Sequence, residues 1–184
     1  MSTPTTTELL DAIGVLYSHI LISINTNHPK APVGTSLHDF ADGNGRIPAY
    51  KHINPNGSIG GWVAVTAYVA PTCHIAKDAT VFGYARVEDY ARIEGSARVH
   101  EFARVYGHAK IRGDSQISGY ARIFENATVC GYAQVTGKSM VFGNAVIATY
   151  AKIMDFAKIF GHAVISGVVR IDGITEVSGH TMLK

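Results

Sequence analysis

Every sixth residue from Val63 to Leu183 is aliphatic. The series runs Val63, Val69, Ile75, Val81, Val87, Ile93 and onward through Ile165, Ile171, Val177 and Leu183, at 21 consecutive positions without an insertion. All but the last are β-branched. A fixed period held over this length is the mark of a stacked repeat architecture.

The positions around each aliphatic are also constrained. Two residues before it, from Ala67 to Thr181, stands Ala in 14 of 20 cases, with Cys73, Ser115, Ser139, Val169, Thr175 and Thr181 as the others. Two residues after it stands Gly in 12 of 20 cases, and Asp89, Glu101, Glu125 and Asp155 fill four more. β-branched residues favour strands. Residues two apart on a strand share a face, so the small residue and the aliphatic point inward together while their neighbours point outward. Gly then allows a corner that residues with a Cβ resist. One hexad is thus one short strand and one corner, and three hexads close a triangular coil. At ~4.8 Å between stacked strands, residues 63–183 make about 6.7 coils and a prism roughly 30 Å long.

Of the 184 residues, 47% are apolar and 16% are charged, with a formal net charge of +2. That balance argues against a nucleic-acid polymer as partner. Two cysteines are too few for a disulfide framework and point to a reducing, cytoplasmic compartment. Residues 1–25 are expected to hold an amphipathic helix, with Leu9, Ile13, Leu16 and Ile20 on one face and a capping box from Thr5 to Glu8. The stretch Leu9 to Ile24 carries Asp11 and His19 and is too short to span a bilayer, and its polar face lacks the cations of a membrane-surface helix. Residues 26–62 read as an irregular connection with Pro29, Pro32 and the turn-rich Asp42-Gly43-Asn44-Gly45, followed by the strand that leads into the repeat. Residues 63–184 form the repeat domain.

This pattern resembles the left-handed parallel β-helix of the hexapeptide-repeat proteins, many of which are trimeric acyltransferases. It departs from their usual motif in placing Gly two residues after the aliphatic rather than one. That variant is similar to a bacterial and prophage group with V-x-G-N-A repeats, which carries an acyltransferase label. Its members enter the repeat through a G-D-L-G-G-[WY]-[IV] segment. Asn56-Gly57-Ser58-Ile59-Gly60-Gly61-Trp62-Val63 matches that segment, and Arg46-Ile47-Pro48-Ala49-Tyr50 is similar to the strand before it. The fold expected is therefore all-β, a left-handed parallel β-helix with an N-terminal α-helix. A pentapeptide-repeat DNA mimic is excluded because the period is six, and no flat Thr ladder indicates an ice-binding face.

Residues 18 apart lie above one another, so each face of the prism reads as ladders. On the second face the outward ladders are Tyr106, Phe124, Phe142, Phe160 and, alongside, Arg86, Arg104, Arg122, Met140, Lys158. Four aligned aromatics form an apolar patch that calls for a partner. A homotrimer contact through Phe124, Phe142 and Phe160 is expected, joined by Val146 and Val164 on the third face. Three arginines in file repel one another. Glu88 and Glu125 are expected to neutralise part of that charge. Beside aromatic rings, the remainder suits a planar anion such as a nucleotide, held by Arg86, Arg104 and Arg122 with Tyr106 or Phe124 to stack and Tyr90 and His108 as polar supplements. His162 and His180 lie one coil apart without a third ligand, so no metal is expected.

Hexapeptide acyltransferases use a His as general base in a cleft between subunits and lay coenzyme A along the prism. The resemblance would assign that role to His108 or His162, with His100 as a third candidate. Such enzymes commonly build the acceptor site from a loop that interrupts the repeat, and this repeat has none. No nucleophile–base motif such as G-x-S-x-G occurs. The reading favoured is a non-catalytic homotrimer without a cofactor that binds a small anionic, nucleotide-like ligand between subunits, one concrete form being a phage-type sequestering sponge. A coenzyme A-dependent acyltransferase is the first alternative, and a purely structural assembly module is the second.

Overall fold

The computed structural model describes residues 34–184. The expected N-terminal helix lies outside the described residues. Within them the chain is all-β and forms a left-handed parallel β-helix of about seven turns. Strands β1 (Ser36–Asp39), β2 (Arg46–Ile53) and β3 (Ile59–Ala64) come first. Twenty two-residue strands follow, from Tyr68–Val69 to Met182–Leu183, one per hexad. They stack into three parallel sheets; β3 joins the first by parallel pairing with Thr80–Val81, and β2 and β1 extend it beyond β3 by antiparallel pairing. The register is 18 residues throughout: Trp62 lies against Thr80, Arg104 against Arg122, and Val146 against Val164. Among the described residues no helix is long and apolar enough to cross a membrane.

The interior is the hexad pattern made solid. Nineteen of the 21 stepped aliphatics are buried, together with the small residues from Ala67 to Ala163 two positions before them. Val177 and Leu183, expected to be buried, are half-exposed. They belong to the last coil, and no further coil of the described residues covers them. Backbone pairing runs from coil to coil, as where Arg104 N–H donates to the Ala121 carbonyl at 2.9 Å and Tyr106 N–H to that of Ile123 at 3.0 Å.

From Gly83 onward the corners adopt left-handed backbone. At Gly137, φ is +70° and a Cβ would stand 2.6 Å from the Asp155 nitrogen of the next coil. Five other corners accept that conformation without Gly: Asp89, Glu101, Glu125, Thr149 and Asp155 have φ between 55° and 61°. Left-handed backbone at a residue with a Cβ costs about 1–3 kcal/mol. The four acids offset it by accepting a backbone N–H one coil further on. Asp89 takes Gly107 at 2.9 Å, Glu101 takes Gly119 at 2.6 Å, Glu125 takes Gly143 at 2.8 Å and Asp155 takes Gly173 at 3.1 Å.

The stretch expected to be irregular contains β1, whose His38 stacks on Trp62 with centroids 4.4 Å apart. The β2–β3 hairpin closes the first coil. The Asn54 side chain accepts from Ile75 N–H at 2.8 Å and donates to the Ile75 carbonyl at 3.2 Å, so one amide replaces a strand partner. His52 Nε2 lies 3.1 Å from the Cys73 carbonyl. Gly61 passes so close to the Ala79 carbonyl that a Cβ there would collide with it, which explains the paired glycines before Trp62.

Burial holds the pKa of His38, His52 and His100 below the ordinary value. Lys51 adds to the effect at His38, while Glu101 only partly opposes it at His100. The folded protein therefore favours the neutral rings. In the unfolded chain they take up protons near pH 6.5. Stability from this source is complete above that pH and is lost as pH falls below it, toward the lowered folded values. Urea melts at pH 7.5 and 5.5 are expected to show a lower midpoint at pH 5.5. A higher midpoint there would contradict the assignment.

Candidate functional site

The second face carries the ladders as expected. Tyr106, Phe124, Phe142 and Phe160 stack with ring centroids 4.9, 4.9 and 5.0 Å apart and planes within 5° of parallel. Each ring covers the faces of its neighbours, so the ladder shows mainly ring edges and is half-buried along its length. Beside it, the guanidinium of Arg86 lies 4.9 Å from the Tyr68 ring, that of Arg104 5.7 Å from Tyr106, and that of Arg122 5.9 Å from Phe124.

The charge balance of the arginine file differs from the expectation. Glu88 neutralises two arginines rather than one, bonding Arg86 through Oε1 and Arg104 through Oε2, each at 2.8 Å. Hydrogen bonding from Arg86 holds the Glu88 carboxyl below its usual range, against the opposing effect of burial and with further help from Arg104. Glu125, expected to pair with an arginine, instead bonds Gly143 N–H, because its left-handed backbone directs the side chain along the corner. Arg122 reaches only the Tyr106 hydroxyl, at 3.4 Å. Among the described residues it has no carboxylate within ion-pair distance.

A second clip of the same kind was not foreseen. On the third face Glu94 bonds Arg92 and Arg112, each at 2.7 Å. Burial would raise the Glu94 pKa, but the bonds from Arg112 and Arg92 outweigh it and the net shift is downward. The signal was present: Arg86-Val87-Glu88 and Arg92-Ile93-Glu94 both place Arg and Glu two apart, on the same outer side of a strand. On this face Val146 and Val164 lie in register and half-buried, with Met182 exposed beyond them.

The histidines do not form a catalytic arrangement in one chain. His100 is stacked on Phe82 at 4.8 Å beneath the Phe40 ring, with Nδ1 3.9 Å from Glu101. His108 stacks on Tyr90 at 5.4 Å, and His162 on His180 at 5.0 Å. No carboxylate orients His108 or His162 among the described residues. Parallel rings do not aim their nitrogens at a common point, and the described residues contain no group of three or more His, Cys, Asp and Glu suited to a metal ion. Cys73 and Cys130 are free thiols, and burial pushes Cys73 up to about 11.

Sequence reasoning placed Tyr90 near the site but missed its surroundings. Two adjoining hollows, of about 310 and 300 Å³, flank it. One is lined by Pro55, Asn56, Thr72, His74, Tyr90 and Arg92. Tyr68, Ala70, Thr72, Glu88, Asp89 and Tyr90 line the other. The hairpin tip that supplies Pro55 and Asn56 has no hexad pattern to announce its position. Comparison with protein-family models, with curated proteins and with solved structures finds no match to this chain.

Proposed function

We propose that this chain is a non-catalytic β-helix protein that assembles as a homotrimer and holds a small anionic, nucleotide-like ligand between subunits. The observation that carries the reading is Arg122, a half-solvated cation without a carboxylate partner among the described residues, beside the stacked Tyr106 and Phe124. A guanidinium with open donors next to aromatic edges suits a planar anion. The hexapeptide-repeat resemblance supports the trimer and the use of the clefts between prisms. The two unpaired thiols suit a cytoplasmic setting.

Calorimetry against nucleotides, cyclic dinucleotides and coenzyme A tests the reading. Arg122→Ala is expected to weaken binding about ten- to a hundred-fold, the equivalent of one charge-assisted contact. Arg104→Ala is expected to have a smaller effect, since Glu88 already engages that side chain. Both variants should remain trimeric. No binding across the panel would overturn the proposal, and acyl transfer from coenzyme A lost in His108→Ala or His162→Ala would replace it with the enzyme reading.

A further inference from the structure

Aromatic ladders on this prism cover their own ring faces, and a ligand can stack only where a ladder begins or ends. The ladder of Tyr90 begins at that residue. One face of the ring rests on His108. The equivalent position one coil earlier is Thr72, whose hydroxyl donates to the Asp89 carbonyl. A small side chain where a ring would otherwise continue the stack leaves a step above Tyr90, and the two hollows open on either side of it.

The two walls of this saddle differ in chemistry. On one stand Arg92, His74 and Asn56. Arg92 uses Nε for Glu94. Among the described residues its two Nη groups and the His74 ring make no hydrogen bond. On the other wall stand Tyr68, Glu88 and Asp89. Both Glu88 oxygens hold arginines, and Asp89 Oδ2 holds Gly107 N–H. Asp89 Oδ1 accepts no hydrogen bond among the described residues. A ligand that fits has a flat ring for Tyr90, an anion for one side and an N–H donor for the other.

We propose that this saddle binds a nucleoside monophosphate. The base stacks on the free face of Tyr90 above Thr72, an amino group of the base faces Asp89, and the phosphate meets Arg92, His74 and Asn56. Hollows of about 310 and 300 Å³ lie at the small end of ligand pockets, which suits one nucleotide and not a dinucleotide. The proposal rests on the reading of this chain as a binder of nucleotide-like anions and adds to the inter-subunit cleft at Arg122 a second site, complete within one chain.

Calorimetry of the full chain with AMP tests it, with adenosine and ribose 5-phosphate as partial ligands. AMP is expected to bind at least ten-fold more tightly than either. Base stacking is worth about 1–3 kcal/mol, so Tyr90→Leu should weaken AMP about five- to a hundred-fold. Arg92→Ala should weaken AMP about ten- to a hundred-fold. Arg112→Ala breaks the same Glu94 clip outside the saddle and should leave AMP affinity unchanged. Circular dichroism and melting temperature confirm that each variant is folded. AMP affinity untouched by both Tyr90→Leu and Arg92→Ala overturns the site. Loss in Arg122→Ala alone overturns it while sustaining the inter-subunit reading, as does binding of a cyclic dinucleotide without AMP. Binding of no nucleotide at all overturns both.

Discussion

Ile123→Asp is expected to abolish folding. Ile123 has no exposed surface and is stacked between Val105 and Val141 of the adjoining coils. A carboxylate there would have only methyl groups around it. An uncompensated buried charge costs several kcal/mol even after relaxation. A domain of this size has about 5–15 kcal/mol to lose. In a stacked repeat each coil is held chiefly by its neighbours, so a fault at mid-prism separates two blocks of coils. Ile171→Asp, in the last coil, is expected to be milder because the fault strands fewer hexads. Soluble yield, far-ultraviolet circular dichroism and melting temperature check both variants. A soluble Ile123→Asp protein with an unchanged melting temperature would contradict the core assignment.

Phe142→Glu combined with Phe160→Glu is expected to turn the proposed trimer into monomers or aggregates, read by light scattering. These rings already stack on one another, but their outer edges remain in contact with solvent. Covering an aromatic side chain contributes on the order of 1.5–3 kcal/mol, and a trimer repeats each contact three times. Two carboxylates per chain in that position add charge repulsion across every contact. An unchanged trimer would place the interface elsewhere, and a monomeric wild type at micromolar concentration would leave the aromatic ladder to a different partner.

The prism was legible because its signal is periodic. Each hexad repeats the same three requirements, and the ladders of Tyr106 to Phe160 follow from counting by 18. The double pairing of Glu88 was harder to read. Its link to Arg104 spans 16 residues and depends on side-chain rotamers rather than on register. The strand at Ser36–Asp39 was missed because its residues are neither alternating nor strongly β-forming. It is held by pairing with β2 and by the His38–Trp62 stack, both supplied from outside its own sequence. Asn54 likewise acquires its role from a position 21 residues away. The step above Tyr90 is visible only once Thr72 and the hairpin tip share one corner.

The acidic corners bear on how the chain finds its alignment. An interior of Ala and Val or Ile repeats nearly unchanged from coil to coil, so a slip of one whole turn would keep aliphatic over aliphatic and small over small. Such a slipped pairing differs little from the native one in apolar burial. The marks that tell one turn from the next are on the outside. A slip would part Glu88 from Arg104, Glu94 from Arg112, and Asn54 from Ile75. It would also set the left-handed carboxylates of Asp89, Glu101, Glu125 and Asp155 against the wrong amides. In this molecule the surface, not the core, numbers the turns.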